Sequence, residues 1–364
     1  YFVTSLAALR LQPWTKYQRA FINPGLFSSL IHDRVFSRQS YHKAGIMIKC
    51  YLRSEALKRV LENRLQNDII SMCYRWSDFI EFINRNTEKE KSMYSPDEFL
   101  RKVEEEQAPY GTALLWWMGQ MGLWIKMGET VLSVDYYASP ASDRLVPPPV
   151  PAELVRDVDL FLGTHNHLDH IDHESWKIWG RNCPDADFVF PQLHAESITR
   201  DGIPENRQHG LWEGQSCTVK GITIRAIAAA HEFLDPDPET GMHPCLQYII
   251  EGNGVRLYHA GDTVRYEGMI GKLKAMGRIN AAIVPINGRD AARYRSDCIG
   301  NMTFQEAVDL TGELKPDMVI PGHWDMFAGN PGDPAAFEDY LDAKYPGRVI
   351  CCRPDYLETV KVCV

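Results

Sequence analysis

The chain has 364 residues, 45% of them hydrophobic and 24% charged, with a net charge of −9 at neutral pH. That is the composition of a globular protein with a sizeable core, long enough for one large domain or two ordinary ones. The negative balance excludes a polyanion such as DNA or RNA as the main partner, whereas a local arginine cluster leaves a small anionic substrate open. Nine cysteines, odd in number, scattered and without a CxxC pair, offer neither a disulfide framework nor a zinc ribbon. A reducing compartment is the expectation. No apolar run approaches the length that crosses a bilayer, so no membrane partner is expected.

Residues 1–46 begin at Tyr1 and carry Arg10, Lys16, Arg19, Arg34, Arg38 and Lys43 against the single acid Asp33. A basic, acid-poor stretch has the make-up of a transit segment; a fragment boundary, or a leader upstream of a start at Met47, are the alternatives. Residues 50–86 repeat apolar side chains at three and four and predict helix, followed by the charged linker TEKEKS at 87–92. The boundary expected here divides a helical N-terminal extension, 1–92, from a second domain, 93–364. SPDEFLRKVEEEQ then opens a helix with Ser95 as N-cap, Pro96 at the first helical position and Glu98 closing a capping box.

From residue 112 the pattern changes to short β-like runs. TALLWWMG and GLWIKMG predict a hairpin, TVLSVDYY a third strand, and VDLFLGTH a strand that ends at a histidine. FVFP, CTVKGITIRAIAAAH, CLQYIIEG, RLYHAGD, AAIVPIN, DMVIPGH and RVICC follow as strands, with helical patterns such as GMIGKLKAM and TFQEAVDLTGEL between them. Strands with interspersed helices over one long region predict an α/β or α+β sandwich rather than an all-β barrel.

The stretch THNHLDHIDH at 164–173 packs four histidines and two aspartates into ten residues. Histidine and carboxylate are the usual ligands of borderline divalent metals. If extended geometry continues past the strand, His165 and His167 point the same way and can share one ion. Asp169 and His170 follow in a turn or helix start, facing a second. Three later apolar runs stop at a ligand-type residue: His231, Asp262 and His323. Several strands thus deliver ligands to one sheet edge. The expected division is His165, His167 and His231 on one ion, and Asp169, His170 and His323 on the other. Asp262 bridges, since a carboxylate has two oxygens.

HxHxDH followed in order by a lone His, a GD and a late GH resembles the metallo-β-lactamase superfamily of hydrolases. The resemblance implies an α/β fold of the αββα sandwich type, a dinuclear site at one sheet edge and an activated water as nucleophile. A finer resemblance spans about residues 97–350. EEEQAPYGTALLWWMGQMGLWIK, INGRDAARYRSDCIGNMTFQEAV and VIPGHWDMF look like the L-ascorbate-6-phosphate lactonase branch. That branch implies hydrolysis of a phosphorylated sugar-acid lactone in the cytoplasm, two manganese or zinc ions and a homo-oligomer. Asp169 and Asp262 would then serve the reaction directly, with Asp262 holding the nucleophile in line.

Arg289, Arg293 and Arg295 are the candidates to grip a phosphate, to which guanidinium groups bind bidentately; a solvated loop is the plain alternative. Asp172 is expected to orient a ligand. His173 is expected to be a helix-start bystander, His259 either to line the site or to sit satisfied in the core, and Trp116 and Trp117 to be core. Trp324, Asp325 and Phe327 are placed to shape the pocket. Rival functions are a phosphodiesterase acting on a small phosphodiester and a metal-binding module without hydrolytic activity.

Overall fold

The computed structural model describes residues 94–296 and 298–364. The basic leader, the helix expected over 50–86 and the linker 87–92 lie outside the described residues. The helix α1 (Pro96–Glu105) begins as its sequence dictates. The Ser95 side chain accepts from the Glu98 amide while Glu98 reaches back to the Ser95 amide. Its apolar side chains Phe99 and Val103 are buried. Buried Lys126 donates to the Val103 and Glu104 carbonyls, placing a cation at the negative end of the helix.

Strands β1 (Thr112–Gly119), β2 (Gly122–Met127) and β3 (Thr130–Val134) form the expected antiparallel meander. Strands β4 (Leu160–Leu162), β5 (Asp187–Pro191) and β6 (Gln208–Leu211) then add in parallel, and β14 (Thr359–Cys363) closes the other edge beside β1. The second sheet joins β7 (Ser216–Val219), β8 (Ile222–Ala228), β9 (Leu246–Gly252), β10 (Val255–His259), β11 (Ala281–Pro285), β12 (Met318–Gly322) and β13 (Ile350–Cys351). It too is antiparallel from β7 to β10 and parallel from β10 to β13.

The two sheets pack face to face. Their shared core includes Leu115, Trp117, Ile125 and Leu162 from the first and Ile224, Tyr248, Leu257, Ile283 and Ile320 from the second. The outer face of the first sheet, with Trp116, Trp124 and Phe188, is covered by α1, α2 (His173–Asn182) and α3 (Ala195–Arg200). The outer face of the second is covered by α4 (Met269–Ala275), α6 (Phe304–Leu314) and α7 (Pro334–Lys344), and the short α5 (Ala291–Arg295) precedes α6. This is the expected αββα sandwich. Both faces of the central strands are covered, which is why they read as near-continuous apolar runs. Adjacent Trp116 and Trp117 point to opposite cores, so both are packing residues as expected.

Two local expectations are corrected. CTVKGITIRAIAAAH is two strands, because Lys220 and Gly221 both adopt positive φ (50° and 81°) and turn β7 into β8 as a tight hairpin. The strand before the histidine cluster stops at Leu162, so residues 163–172 are bends and turns rather than extended chain. The helix expected to start at His173 is α2, whereas β6, β14 and the helices α3, α5 and α7 are further elements beyond those expected.

Candidate metal centre

All seven expected ligands leave the ends of core elements at one edge of the sandwich. His165, His167, Asp169 and His170 follow β4, His231 follows β8, Asp262 follows β10 and His323 follows β12. Chain ends at the carboxyl edge of parallel strands are where side chains from separate segments meet. The glycines before Asp262 and His323 make this approach close. A Cβ on Gly261 would lie 2.8 Å from Thr164 Cβ, and one on Gly322 would lie 2.5 Å from Met121 Sδ. Gly261 also has φ +54°. His323 itself takes φ 60°, a left-handed conformation that is strained for a residue with a side chain and recurs at functional sites.

The side chains converge in two groups. His165 Nε2 lies 3.0 Å from His167 Nδ1, which lies 3.3 Å from His231 Nε2. His165 and His167 therefore do aim at one point, but from a bent loop and through different ring nitrogens. In the second group His170 Nε2 and His323 Nε2 each stand 3.6 Å from Asp169 Oδ2. Asp262 reaches both: its Oδ2 is 3.0 Å from His323 Nε2 and 3.7 Å from His231 Nε2, and its Oδ1 is 3.3 Å from His170 Nε2. These atoms form overlapping triads of ligand geometry, His165–His167–His231, His165–His170–Asp262 and Asp169–His170–His323.

The second group is braced from behind. Buried Asp135, at the end of β3, accepts from His170 Nδ1 at 2.7 Å, leaving Nε2 to face the site. Asp135 also accepts from the Thr164 amide and hydroxyl, and Thr164 Oγ1 in turn accepts from His165 Nδ1 at 3.2 Å. Carboxylate contacts of this kind set the tautomer and orientation of metal-binding imidazoles. Gln120, 1% exposed in the β1–β2 turn, donates its side-chain amide to Asp169 Oδ2 at 2.9 Å, and its backbone carbonyl accepts from the His323 amide. Asp325 holds that turn in place by accepting from the Gln120 amide, Trp117 Nε1 and Tyr356 OH. Asp325 therefore shapes the site from behind. Asp135 and Gln120 went unread in the sequence, where they sit inside a strand run and a turn with no motif around them.

Protonation follows the same division. Burial, with His170 as a neighbouring cation, keeps His165 well below the usual histidine range, and burial lowers His231 to about 4. Burial also opposes charge on His170, but the Asp262, Asp169 and Asp135 carboxylates outweigh it and hold His170 well above its usual value. Against the same burial, His323 and His170 hold Asp262 well below the carboxylate range. The histidines and carboxylates together could hold a cation. His170 Nε2 and Asp262 Oδ1 are buried and have no hydrogen-bond partner although they are 3.3 Å apart, as expected of two atoms aimed at an ion rather than at each other. The donor set, imidazole and carboxylate, suits divalent zinc or manganese.

A cleft of about 430 Å³ opens onto the centre, lined by His167 and Asp169 together with Tyr137, Asp143, Leu168 and Phe327, so Phe327 shapes the pocket as expected. Ala141, Asn166 and His173 also line it. His173 starts α2 as expected, and its ring lies on the wall of this cleft. Asp172 orients no ligand: it accepts from the Ala138 and Ser139 amides and from Ser175, capping α2 and tying down the 138–139 turn. His259 is a satisfied core residue, its Nε2–H donating to the Met121 carbonyl and its Nδ1 accepting from the Gly261 amide. Trp324 donates to the Pro321 carbonyl and packs against the outer core of the second sheet.

The basic loop departs from expectation. Arg289 makes two 2.7 Å bonds to Glu306 and one to the Asn301 carbonyl. Arg293 donates to Asn330, the Pro331 carbonyl and Asp290. Both guanidinium groups have partners within the protein. Arg295 is exposed and none of the three lines the cleft.

Comparison with known proteins agrees with this architecture. Residues 131–324 match the family described as beta-lactamase superfamily domain. The probable L-ascorbate-6-phosphate lactonase UlaG of Salmonella paratyphi B is 26% identical over 64% of this chain and 75% of its own length. Igni18, a metallo hydrolase from the archaeon Ignicoccus hospitalis, superposes with a TM-score of 0.54 at 22% identity, covering 69% of this chain and 98% of its own. CmlA, a diiron beta-hydroxylase from Streptomyces venezuelae, superposes at 0.51 with 16% identity over 71% of this chain and 55% of its own. At these identities the two structural likenesses concern the fold alone. Among the described residues, no helix is long and apolar enough to cross a membrane.

Proposed function

The chain belongs to the beta-lactamase superfamily and is a metal-dependent hydrolase, and from that premise we propose that it opens a lactone or related carboxylic ester of a small molecule at a dinuclear centre. The supporting observation is Asp262, which stands within 3.7 Å of a ligand atom in each group, so that one carboxylate serves two neighbouring ion positions. His165, His167 and His231 would hold one divalent ion, manganese or zinc, and Asp169, His170 and His323 the other. Two such ions supply a water made nucleophilic near neutral pH and a positive field for the carbonyl oxygen of the ester.

The protein's own side chains do the rest. Asp135 and Gln120 keep His170 and Asp169 in the orientation the centre needs. Tyr137, Leu168 and Phe327 offer apolar surface on which the body of a cyclic substrate can rest with water displaced. The L-ascorbate-6-phosphate lactonase relative supports the lactone as substrate class. Recognition of a phosphate by Arg289 and Arg293 is not part of the proposal, since both have internal partners. The acidic net charge and the small cleft favour a small molecule over nucleic acid.

Turnover of a lactone panel, with and without a phosphate group, after loading with manganese or zinc tests this reading. Ring opening by the loaded protein is the expected result. If phosphodiesters are turned over and no lactone is, the lactone assignment fails. A metal-to-protein ratio near one at full activity rules out the dinuclear centre.

A further inference from the structure

Opening an alkyl ester expels an alkoxide, a strong base that leaves readily only when a proton reaches it. None of the seven ligands is free to supply that proton, because their polar atoms face one another across the centre. His173 is differently placed. Its ring lines the same cleft as His167 and Asp169, and its side chain is 25% exposed there. Nδ1–H donates to the carboxylate of Asp201, whose side chain is only 5% exposed, and Nε2–H donates to Asn166 Oδ1 at 2.6 Å. An acceptor therefore sits at each ring nitrogen, the surroundings that suit a proton-carrying imidazole. A buried carboxylate behind an imidazole fixes its orientation and stabilises the charged ring. Asn166 lies between His165 and His167 in the chain, so the ring is tethered to the ligand loop itself.

We propose that His173, oriented by Asp201, is the proton donor to the leaving oxygen; this rests on the reading of the centre as an ester- or lactone-opening site. Water oxygen bonds to the carbonyl carbon, the carbon–oxygen bond of the ring breaks, and the departing alkoxide takes the proton from His173 Nε2. The proton released by the attacking water passes to solvent and restores the ring. The sum is lactone plus water giving hydroxy acid. Tyr137 and Asp143 share the cleft, but burial raises the Tyr137 hydroxyl above its usual range, making it a weaker acid, and Asp143 sits exposed at the rim.

The test compares an aliphatic lactone, whose alkoxide needs a proton, with a p-nitrophenyl ester, whose phenolate leaves without one. In His173→Gln, lactone turnover falls on the order of 100-fold while the aryl ester stays within about threefold of wild type, the signature of a lost general acid. Metal content and melting temperature stay at wild-type values. Asp201→Asn shifts the same ratio in the same direction, and provides a second route should His173→Gln fold poorly. Equal losses on both substrates, or loss of bound metal together with activity, would make His173 a structural brace and overturn the proposal. If wild type hydrolyses neither substrate, the ester-opening reading fails first; if it hydrolyses both and the variant ratio is unchanged, only the role of His173 fails.

Discussion

In the group Asp169, His170 and His323 all three members are braced and both histidines are enclosed, whereas the group His165, His167 and His231 is opened by exposed His167; Asp169 and His167 both line the cleft. His170 is held by the Asp135 carboxylate, and Asp169 by the Gln120 amide. His323 is held through its backbone by the same glutamine. In the other group His165 is supported through Thr164, His167 is exposed, and buried His231 Nδ1 has no hydrogen-bond partner. Support behind a ligand reduces the reorganisation needed when an ion binds. The group with enclosed His170 and His323 is thus the better preorganised position, and the group opened by His167 is the less supported one.

The strongest way to break this asymmetry is to remove what the groups share. Asp262→Ala is expected to reduce turnover by roughly three orders of magnitude, as the loss of several kcal/mol of charge stabilisation implies. Metal analysis should show both positions depleted; retention of two ions with full activity would contradict the bridging role.

Asp135→Asn removes the carboxylate behind His170 and is expected to weaken metal binding by about 10–100-fold. Titration with a competing chelator checks it. The loss should fall mainly on the enclosed position, since His165 is reached only through Thr164. By contrast, His231→Ala should empty the open position and leave the enclosed one filled, giving a ratio near one ion per chain. If both variants lose both ions in parallel, the two groups are one cooperative unit and the asymmetry is illusory.

Gln120→Ala deletes one charge-assisted hydrogen bond to Asp169 and should cost about 1.5 kcal/mol of binding at the enclosed position, roughly tenfold in affinity. The smallest effect is expected at a residue outside both groups. Arg289→Ala removes a half-exposed pair with Glu306 worth about 1 kcal/mol or less, a fall of about 2–4 °C in melting temperature for a domain of this size. Its turnover of lactones should be unchanged. A selective rise in KM for a phosphorylated lactone would restore Arg289 as a substrate contact.

The difference between the two groups also marks what could be read from the residues. HxHxDH, His231, Asp262 and His323 were legible because a metal demands particular side chains, and because each sits where an apolar run stops. The sandwich was legible for a related reason: burial on both faces leaves long apolar runs in the central strands. Asp135 and Gln120 were not legible. Each is an ordinary residue type, and its partner lies 35 and 49 positions away respectively. His173 was read as a bystander because Asp201, 28 residues on, comes beside it only when α2 and the turn after α3 have packed. Arg289 shows the opposite limit: composition counts a guanidinium, but not that it pairs with Glu306.

The sequence by itself determined the candidate ligands, the layer architecture and the family to which both point, since residue type and hydrophobic period are local properties of the chain. Only the tertiary structure decided which group is braced, which arginines have internal partners and which histidine faces the cleft with a carboxylate behind it. Those outcomes depend on distances of a few ångströms between side chains that are tens to hundreds of residues apart, and such distances exist only once the two sheets have packed.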